Sequence, residues 1–563
     1  MDQQRPFLYL TLFFLGFLIW STWQQEHAPK PASTDGSPKS ELVQNASKNA
    51  VENDIPAGAN SELIATGNTP ASDNKQNDAL ENNKVIHVKT DVLDLDINLQ
   101  GGTIIKADLP TFPVSLEEKD KPVRILDPKK KYEAQSGLRF RNTDGSYRRD
   151  LTKAPHHYAK FVAEKDDYVL SEGQDSIVVP MRWTNGKGIT VTKTLTFQRG
   201  KFVVEQTQTV ENQSNEPWIG DQYLQLTHGK HKKKGSLLGG SIAYTGPAYY
   251  NEKYIKVKFG DIEEETLEDK VKGGWIAMLQ HYFISAWIPR QDTENTVYTI
   301  YDSKNIKYII GLKTPDKVIN SGSSDTFISK FYVGPTDQDK LEEIAKGLDL
   351  TVDYGIFAVV SKPIFAVMKF IHKYVGNWGW TIILLTLLIK LIFFYPSAIS
   401  YRSMAKMKKM SPKIKAINDK YKNDPQTKQK EIMAFYRKEK INPLGGCLPM
   451  LIQMPVFMGL YWVLQESVEL RQAPWILWYK DLSIMDPYFV LPLIMGASMY
   501  IQQKLNPPAM QDPMQQKIFT YLPVVFTVMF LFFPAGLVLY WVVNNILSIF
   551  QQWFINKKII GDN

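Results

Sequence analysis

Apolar residues along this chain are gathered into six runs, and the long region between the first run and the second is polar. Runs of this length and composition are typical of transmembrane helices, although the fourth is short for a hydrocarbon core about 30 Å thick. The pattern therefore predicts a polytopic α-helical membrane protein with six spans. The runs are Phe7–Trp23, Trp378–Phe394, Gly445–Leu464, Tyr488–Ile501, Ile518–Phe533 and Leu537–Phe554.

The first run is expected to be an uncleaved membrane anchor, residues 1–23. Trp20 and Trp23 close it without a small-residue cleavage site, which argues against a signal peptide. Residues 24–83 are rich in Asn, Ser, Ala, Asp and Pro, and no aromatic residue occurs between Trp23 and Phe112. Such a segment cannot bury enough apolar surface to fold, so we predict a flexible linker.

From residue 84 onward, apolar and polar positions alternate with a period of two. Leu93–Leu99 has Leu or Ile at every second position, and Ile189–Phe197 repeats the pattern before a turn at Arg199-Gly200. Many short strands without a long helix predict a large β-sandwich, assigned to residues 84–350. Thr336 and Asp339 resemble a capping box, which predicts a helix directly after the last strand.

Residues 351–377 carry an apolar stripe opposite three lysines, Lys362, Lys369 and Lys373. A strongly amphipathic helix of this kind is predicted to lie in the membrane interface. A seventh span is the alternative. The five remaining runs, within residues 378–554, form the predicted membrane core, and residues 555–563 are a short tail.

Charge fixes the predicted orientation. Residues 397–440 contain 13 lysines and arginines against four acidic residues, a net charge of +9, while the whole chain carries +8. By the positive-inside rule this segment is cytoplasmic. Six spans then place both termini in the cytoplasm and the β-sandwich across the membrane, which in the inner membrane of a bacterium is the periplasm.

The basic segment is predicted to be a cytoplasmic helical hairpin, broken at Asn423 and restarted by Asp424 as a cap and Pro425 in the first turn. Its lysines are candidates for binding ribosomal RNA or anionic lipid through phosphate attraction. A solvated helix pair whose charges only set topology is the alternative. The candidate docking lysines are Lys406, Lys408, Lys409 and Lys413.

Enzyme chemistry has little support in the sequence. Cys447 is the only cysteine, so the exported domain cannot hold a disulfide. We find no nucleophile elbow, phosphate-binding loop or zinc-protease motif. The histidine pairs His156-His157 and His228/His231 are expected in loops or at strand ends of the exported domain, where a metal site is the minor alternative. The chain is predicted not to be an enzyme and to need no cofactor, metal or small-molecule substrate.

Lys390 is the one ionisable residue in an apolar run, where a charge costs at least about 2.5 kcal/mol. Thr386 precedes it by one helical turn and shares its face. Gln453, Asn544 and Asn545 are polar residues in other spans. These side chains could line a hydrated groove with Lys390 as its positive charge, or Lys390 could extend to the nearby cytoplasmic interface.

Five motifs resemble the YidC-type membrane protein insertases of Gram-negative bacteria. The resemblance covers residues 356–554 closely and the rest of the chain in layout. Two positions depart from the family: the usual arginine is Lys390 here, and Trp541 replaces a tyrosine found in some relatives. The motifs are Ser403–Met407, Asn442–Phe457, Glu469–Pro474, Asp512–Lys517 and Pro534–Tyr540.

The resemblance implies a five-helix insertase core with a hydrophilic groove open to the cytoplasm and the bilayer. It assigns the groove charge to Lys390, and it places substrate contacts on the third and fifth spans, at Met454, Met458, Thr527 and Phe530. The implied partners are nascent membrane proteins, the Sec translocon, and the ribosome or anionic lipid. A chaperone that only assists lateral assembly, and a transporter or channel, are the alternative functions.

Overall fold

The computed structural model describes residues 55–56, 84–142, 147–148, 152–229, 243–421, 424–439, 448–505, 513–555 and 557, all of which belong to one compact unit. The predicted anchor, residues 1–23, lies outside this part of the chain. So do most of the predicted linker and the residues after 557.

The predicted β-sandwich is confirmed as two facing sheets. Every pairing is antiparallel except the one between the first and eighth strands. The strands are β1 Val85–Lys89, β2 Asp94–Asn98, β3 Thr103–Pro113, β4 Pro122–Leu126, β5 Glu133–Arg141, β6 Tyr147–Arg148, β7 Val162–Ala163, β8 Asp167–Val169, β9 Ser176–Thr184, β10 Ile189–Gln198, β11 Val203–Asn212, β12 Trp218–Gly229, β13 Gly246–Asn251, β14 Lys253–Lys256, β15 Glu268–Lys272, β16 Trp275–Gln280, β17 Phe283–Pro289, β18 Glu294–Asp302, β19 Lys307–Lys313, β20 Lys317–Ile319 and β21 Ser323–Pro335.

The larger sheet has twelve strands, in the order β15-β18-β19-β12-β5-β3-β2-β1-β8, with β4, β6 and β20 beside β3, β5 and β12. The smaller has nine, in the order β14-β13-β16-β17-β21-β11-β10-β9-β7. The turn at Arg199-Gly200 is confirmed: β10 pairs with β11 up to Phe197 opposite Val204, and Gly200 has a φ of 70° that a glycine adopts without strain.

A lysine interrupts the apolar face of β10. Lys193 is fully buried between the sheets, and its Nζ donates to Gly101 O at 2.6 Å, Ser136 O at 2.9 Å and Ser136 Oγ at 3.0 Å. These three acceptors match the three donors of an ammonium group. Burial nevertheless lowers the pKa of Lys193 to about 7, because a charged group is poorly solvated in a protein interior.

This buried lysine predicts a pH-dependent stability. With a pKa of about 7 in the folded state and about 10.4 in the unfolded chain, Lys193 loses its proton first in the folded state. The unfolded state then binds more protons, so stability rises with pH above 7, by at most about 1.4 kcal/mol per pH unit. Urea unfolding of the full chain between pH 7 and 9 measures this rise. Lys193→Met should remove the Lys193 contribution whatever its effect on absolute stability, and an unchanged slope would contradict the assignment.

The C-terminal part of the described chain is helical. The helices in chain order are α1 Phe259–Glu264, α2 Gln338–Ile344, α3 Ala358–Val375, α4 Trp378–Ile392, α5 Phe394–Lys420, α6 Pro425–Lys438, α7 Leu448–Glu466, α8 Val490–Leu505, α9 Pro513–Phe530 and α10 Ala535–Phe554. Four short 3-10 turns accompany them, at Pro128–Lys130, Leu348–Thr351, Gly355–Phe357 and Val468–Leu470.

The chain bends by 67° between α4 and the first part of α5. Pro396 stands in the first turn of α5. It has no N–H to bond the carbonyl four residues earlier, and its ring clashes with that carbonyl, so the apolar helix cannot continue through it. The helix therefore restarts at Phe394, where the first-turn proline is tolerated.

The six-span count is not confirmed. Within the described residues, one helix, Gly355–Val375, is long and apolar enough to cross a membrane by length and composition. A second qualifies only if the bent pair Trp378–Ile392 and Phe394–Met404 is one span. The helix that qualifies by itself is the one predicted to lie in the interface.

The sandwich contacts the helical part directly. Arg471, which follows α7 in the chain, donates through Nη2 to Pro113 O at 2.6 Å and to Val114 O at 3.1 Å, both near the end of β3. His281, in the turn between β16 and β17, contacts Gln465 O through Nε2 at 2.9 Å. Two loops of the β-domain thus hold the segment at the C-terminal end of α7.

Candidate functional site

Lys390 lies near the end of α4 and points toward α10. Its side chain is buried, with the residue 7% exposed, and Nζ donates to Ser548 Oγ at 2.7 Å. Ser548 Oγ in turn donates to Asn544 O at 2.7 Å, one turn earlier in the same helix. The Lys390 side chain thus points inward, onto α10.

Lys390 makes no ion pair with any residue that the structure describes. Its contact with Ser548 uses one of the three donors of an ammonium group. A buried cation without a carboxylate partner retains a strong attraction for an anionic group that enters the site. A negatively charged group would therefore gain a favourable interaction with an ammonium at this position.

Two asparagines of α10 extend the polar contacts to two more helices. Asn544 Nδ2 donates to Gln453 Oε1 of α7 at 3.4 Å. Asn545 Nδ2 donates to Ser498 Oγ of α8 at 3.1 Å. Since Lys390 is on α4, the last helix joins three others through polar side chains. We call this set the polar layer: Lys390, Gln453, Ser498, Asn544, Asn545 and Ser548.

Thr386 is buried on the same face of α4 as Lys390, as predicted. Its Oγ1 donates to Ile382 O at 2.6 Å, one turn back in its own helix. This bond uses the hydroxyl hydrogen within the helix itself, while the lone pairs of the oxygen can still accept hydrogen bonds. Thr386 therefore makes the surroundings of Lys390 more polar, but its hydroxyl donates within α4 and not to a member of the polar layer.

The predicted substrate contacts fall into two groups. Met454 is 42% exposed and Met458 is half-buried, so α7 presents flexible thioethers at its surface. On α9, half-buried Thr527 donates to Pro523 O and packs so closely on Gly496 of α8 that a Cβ there would lie 2.1 Å from its Oγ1.

Phe530, the fourth predicted contact, is 1% exposed. Its ring packs 5.0 Å from that of Phe533 and 5.5 Å from that of Trp541 on α10. Trp541 also packs edge-on against Phe457 of α7, at 4.6 Å. Phe530 and Trp541 therefore belong to an aromatic cluster that holds α7, α9 and α10 together. Trp541 contributes ring packing to this cluster and has no hydroxyl group of the kind that a tyrosine would bring.

The helical hairpin has the predicted cap, whereas the predicted break at Asn423 lies outside the described residues. Asp424 accepts from the backbone N–H groups of Gln426 and Thr427, and Pro425 begins α6. Lys406, Lys409 and Lys413 are exposed on α5, while the side chain of Lys408 lies outside the described part of the structure.

Sequence reasoning missed Ser498, which pairs with Asn545. The only available signal was a serine within the short fourth apolar run, and serine is compatible with ordinary helix packing. Among the residues that the structure describes, no group of three or more His, Cys, Asp or Glu side chains is arranged to hold a metal ion.

Comparison with known proteins agrees with this organisation. Residues 85–367 match the model of the YidC periplasmic domain, and residues 370–562 match that of the 60Kd inner membrane protein family. The chain is 46% identical to the membrane protein insertase YidC of Thioalkalivibrio sulfidiphilus and 45% identical to that of Methylococcus capsulatus, with 99% of each chain covered.

Solved structures give weaker similarities. A crystal structure of an active YidC insertase with its first transmembrane domain resolved is 17% identical, with a TM-score of 0.36, over 84% of this chain and 94% of that one. A galactose mutarotase related enzyme from Lactobacillus acidophilus is 10% identical, with a TM-score of 0.30, over 44% of this chain and 97% of that one. At TM-scores this low, neither similarity supports an inference about this chain.

The matches define the class of this protein as a bacterial inner-membrane protein with a large periplasmic domain followed by a helical membrane part. The chain belongs to the YidC family of membrane protein insertases. Proteins of this family insert other proteins into the membrane and are not enzymes, so the resemblance and the prediction that this chain is not an enzyme are both confirmed.

Proposed function

We propose that the polar layer forms a hydrophilic groove through which this insertase moves the short polar end of an incoming membrane protein. The observation that carries the proposal is Lys390, a buried cation held by Ser548 without a carboxylate among the described residues. The apolar segment of the substrate would slide along α7 and α9, past Met454 and Met458, while its polar end enters the groove.

The energetics require no nucleotide. Moving a polar or charged group into hydrocarbon costs several kcal/mol, and polar groups at the same depth reduce that cost. The Lys390 ammonium adds attraction for carboxylates in the moving end. Release into the periplasm is then driven by partitioning of the apolar segment and, for acidic ends, by the membrane potential.

The proposed topology has six spans with both termini cytoplasmic. The anchor is residues 1–23, the linker 24–83, the periplasmic sandwich 84–350 and the five-helix core 378–554, with the hairpin 397–440 and the tail 555–563 in the cytoplasm. The 13 basic residues of the hairpin support this orientation.

We assign residues 351–377 to the membrane interface beside the sandwich. Lys362 Nζ lies 3.4 Å from Asp349 Oδ2, and Lys369 Nζ lies 2.7 Å from Asp339 Oδ1. These two of the three lysines of α3 therefore pair with acidic residues of the segment that leaves the β-domain. A helix crossing the hydrocarbon core could not keep two lysines seven residues apart in contact with that segment, which supports an interfacial position over a seventh span.

The β-domain is assigned a bracing role in this mechanism. Arg471 and His281 fix the segment at the C-terminal end of α7, the helix whose surface carries Met454 and Met458. A helix held at one end keeps its contact surface in a constant position against the groove.

Nascent membrane proteins are the substrates of this function. The exposed lysines Lys406, Lys409 and Lys413 support a docking role for the hairpin toward ribosomal RNA or anionic lipid. Delivery from the Sec translocon is the second proposed route, in which the same α7 surface receives a helix from a neighbouring channel.

Reconstitution of the purified protein alone into liposomes tests this function. We expect a single-span substrate with a short acidic end to acquire a protease-protected fragment on the far side of the membrane, without added nucleotide. Empty liposomes are the control. A protein that inserts nothing yet promotes packing of helices already in the bilayer would be a lateral assembly chaperone, and flux of ions or solutes would indicate a channel.

A further inference from the structure

Two residues of the predicted linker lie buried in the structure. Ile55 is 3% exposed, and Pro56 is also buried. The composition of residues 24–83 predicts a segment without a core of its own, so this burial has to come from contact with another part of the chain. The contact is with the β-domain.

The partner is Arg139 of β5. Its Nη1 donates to Pro56 O at 2.7 Å. The same guanidinium donates through Nε to Asp221 Oδ1 at 2.8 Å and through Nη2 to Asp221 Oδ2. Arg139 and Asp221 are direct cross-strand neighbours on β5 and β12, and their side chains are 5% and 2% exposed.

This arrangement lies on the outer face of the twelve-stranded sheet. Leu138 and Phe140 belong to the core between the sheets. Because successive residues of a strand point to opposite faces, Arg139 points away from that core. The Arg139 guanidinium has five N–H donors, of which the carboxylate takes two, so a backbone carbonyl is a suitable acceptor for a third.

The two linker residues suit such a site. Proline restricts the conformations open to the residue before it, so Ile55 has less backbone freedom to lose on binding. Proline also has no N–H, so burying Pro56 leaves no backbone donor to satisfy. The branched side chain of Ile55 supplies the apolar area that offsets the cost of ordering the segment.

We infer that the outer face around Arg139 and Asp221 is a binding site for a short peptide segment in which a branched apolar residue precedes proline, and that Ile55-Pro56 of the same chain occupies it. The bound segment divides the linker: 31 residues, 24–54, remain between the anchor and the site, rather than the 60 residues of 24–83. The site thereby sets how far the β-domain can move from its anchor.

Competition in the full chain tests this inference. A fluorescent peptide with the sequence of residues 50–60 is titrated against the full-length protein in detergent and against an Ile55→Asp variant, and anisotropy is recorded. In the parent protein, the covalently linked Ile55-Pro56 segment competes with the added peptide at an effective concentration of about 1 mM. We therefore expect the peptide to bind the variant at least about tenfold more tightly than the parent protein. The reason is that a buried aspartate at position 55 weakens the contact of the chain's own segment with the Arg139 site.

Two controls keep the comparison specific. Ile64→Asp makes the same chemical change elsewhere in the linker and should behave as the parent protein. A peptide with aspartate in the place of Ile55 should bind neither protein. Equal binding of the original peptide to parent and Ile55→Asp proteins, or binding to neither, would overturn the inference. Insertion activity is not the readout, so the result does not depend on the groove mechanism.

Discussion

Replacing Lys390 with alanine is expected to lower insertion of single-span substrates with acidic translocated ends by about tenfold or more. Hydrogen bonds to charged groups contribute about 1.5–3 kcal/mol, and 1.4 kcal/mol corresponds to a factor of ten. Substrates with neutral ends lose only the polarity of the site and should be affected less. Initial rates of protease protection in the reconstituted system, compared for matched acidic and neutral ends, measure the difference.

Two substitutions separate charge from shape at this position. Lys390→Arg keeps the cation and should preserve the preference for acidic ends. Lys390→Met keeps most of the length without the charge and should resemble alanine. Equal insertion of acidic and neutral substrates by the parent protein, or an unchanged preference in the alanine variant, would remove Lys390 from the mechanism.

Replacing Asp221 with alanine is expected to destabilise the β-domain by about 3–5 kcal/mol. Arg139 is then left as a buried cation without its carboxylate, and removing one partner of a buried ion pair carries a cost of this size. Amide hydrogen exchange of β5 and β12, followed by mass spectrometry on the full chain, should become at least about a hundredfold faster wherever exchange requires global unfolding.

An exposed ion pair of the same domain supplies the matched control. Asp292 pairs with Arg290, and both side chains are more than half exposed. Because a solvated pair loses little when it is broken, Asp292→Ala should leave exchange in β5 and β12 unchanged. Equal exchange in the Asp221→Ala and Asp292→Ala variants would show that the Arg139 site adapts by taking up water.

Local patterns carried much of the sequence prediction. Alternation over residues 189–197 identified β10, but the same phase places Lys193 inside the sandwich, a position that a period-two pattern does not itself explain. Lys390 and Thr386 share a helix face in the structure as their spacing predicted. Short-range periodicity determines which way a side chain points, and it does not determine what the side chain meets.

Capping shows the same limit at a finer scale. Asp424 caps α6 as predicted. At the end of the sandwich, the predicted Thr336 cap was wrong: Asp337 accepts from Lys340 N, and α2 begins at Gln338. Thr336 is instead bound into the end of the sheet through its backbone N–H, which donates to Tyr282 O. A contact with a turn more than fifty residues away decided which of two adjacent capping residues is used.

Long-range contacts account for what the sequence could not supply. The pairing of Asn545 with Ser498 and the contact of Arg471 with Pro113 join positions 47 and 358 residues apart. None of these residues is unusual in its local sequence. Only the folded arrangement identifies them as parts of a polar layer and of a brace.

α10 follows α4, α7 and α8 in the chain, which has a consequence for how the insertase itself is made. Its Asn544, Asn545 and Ser548 supply the partners of Gln453, Ser498 and Lys390, which lie on helices synthesised earlier. Until α10 has been synthesised, those three side chains lack these hydrogen bonds. The polar contacts among these helices are therefore completed only when α10 packs against the three earlier helices.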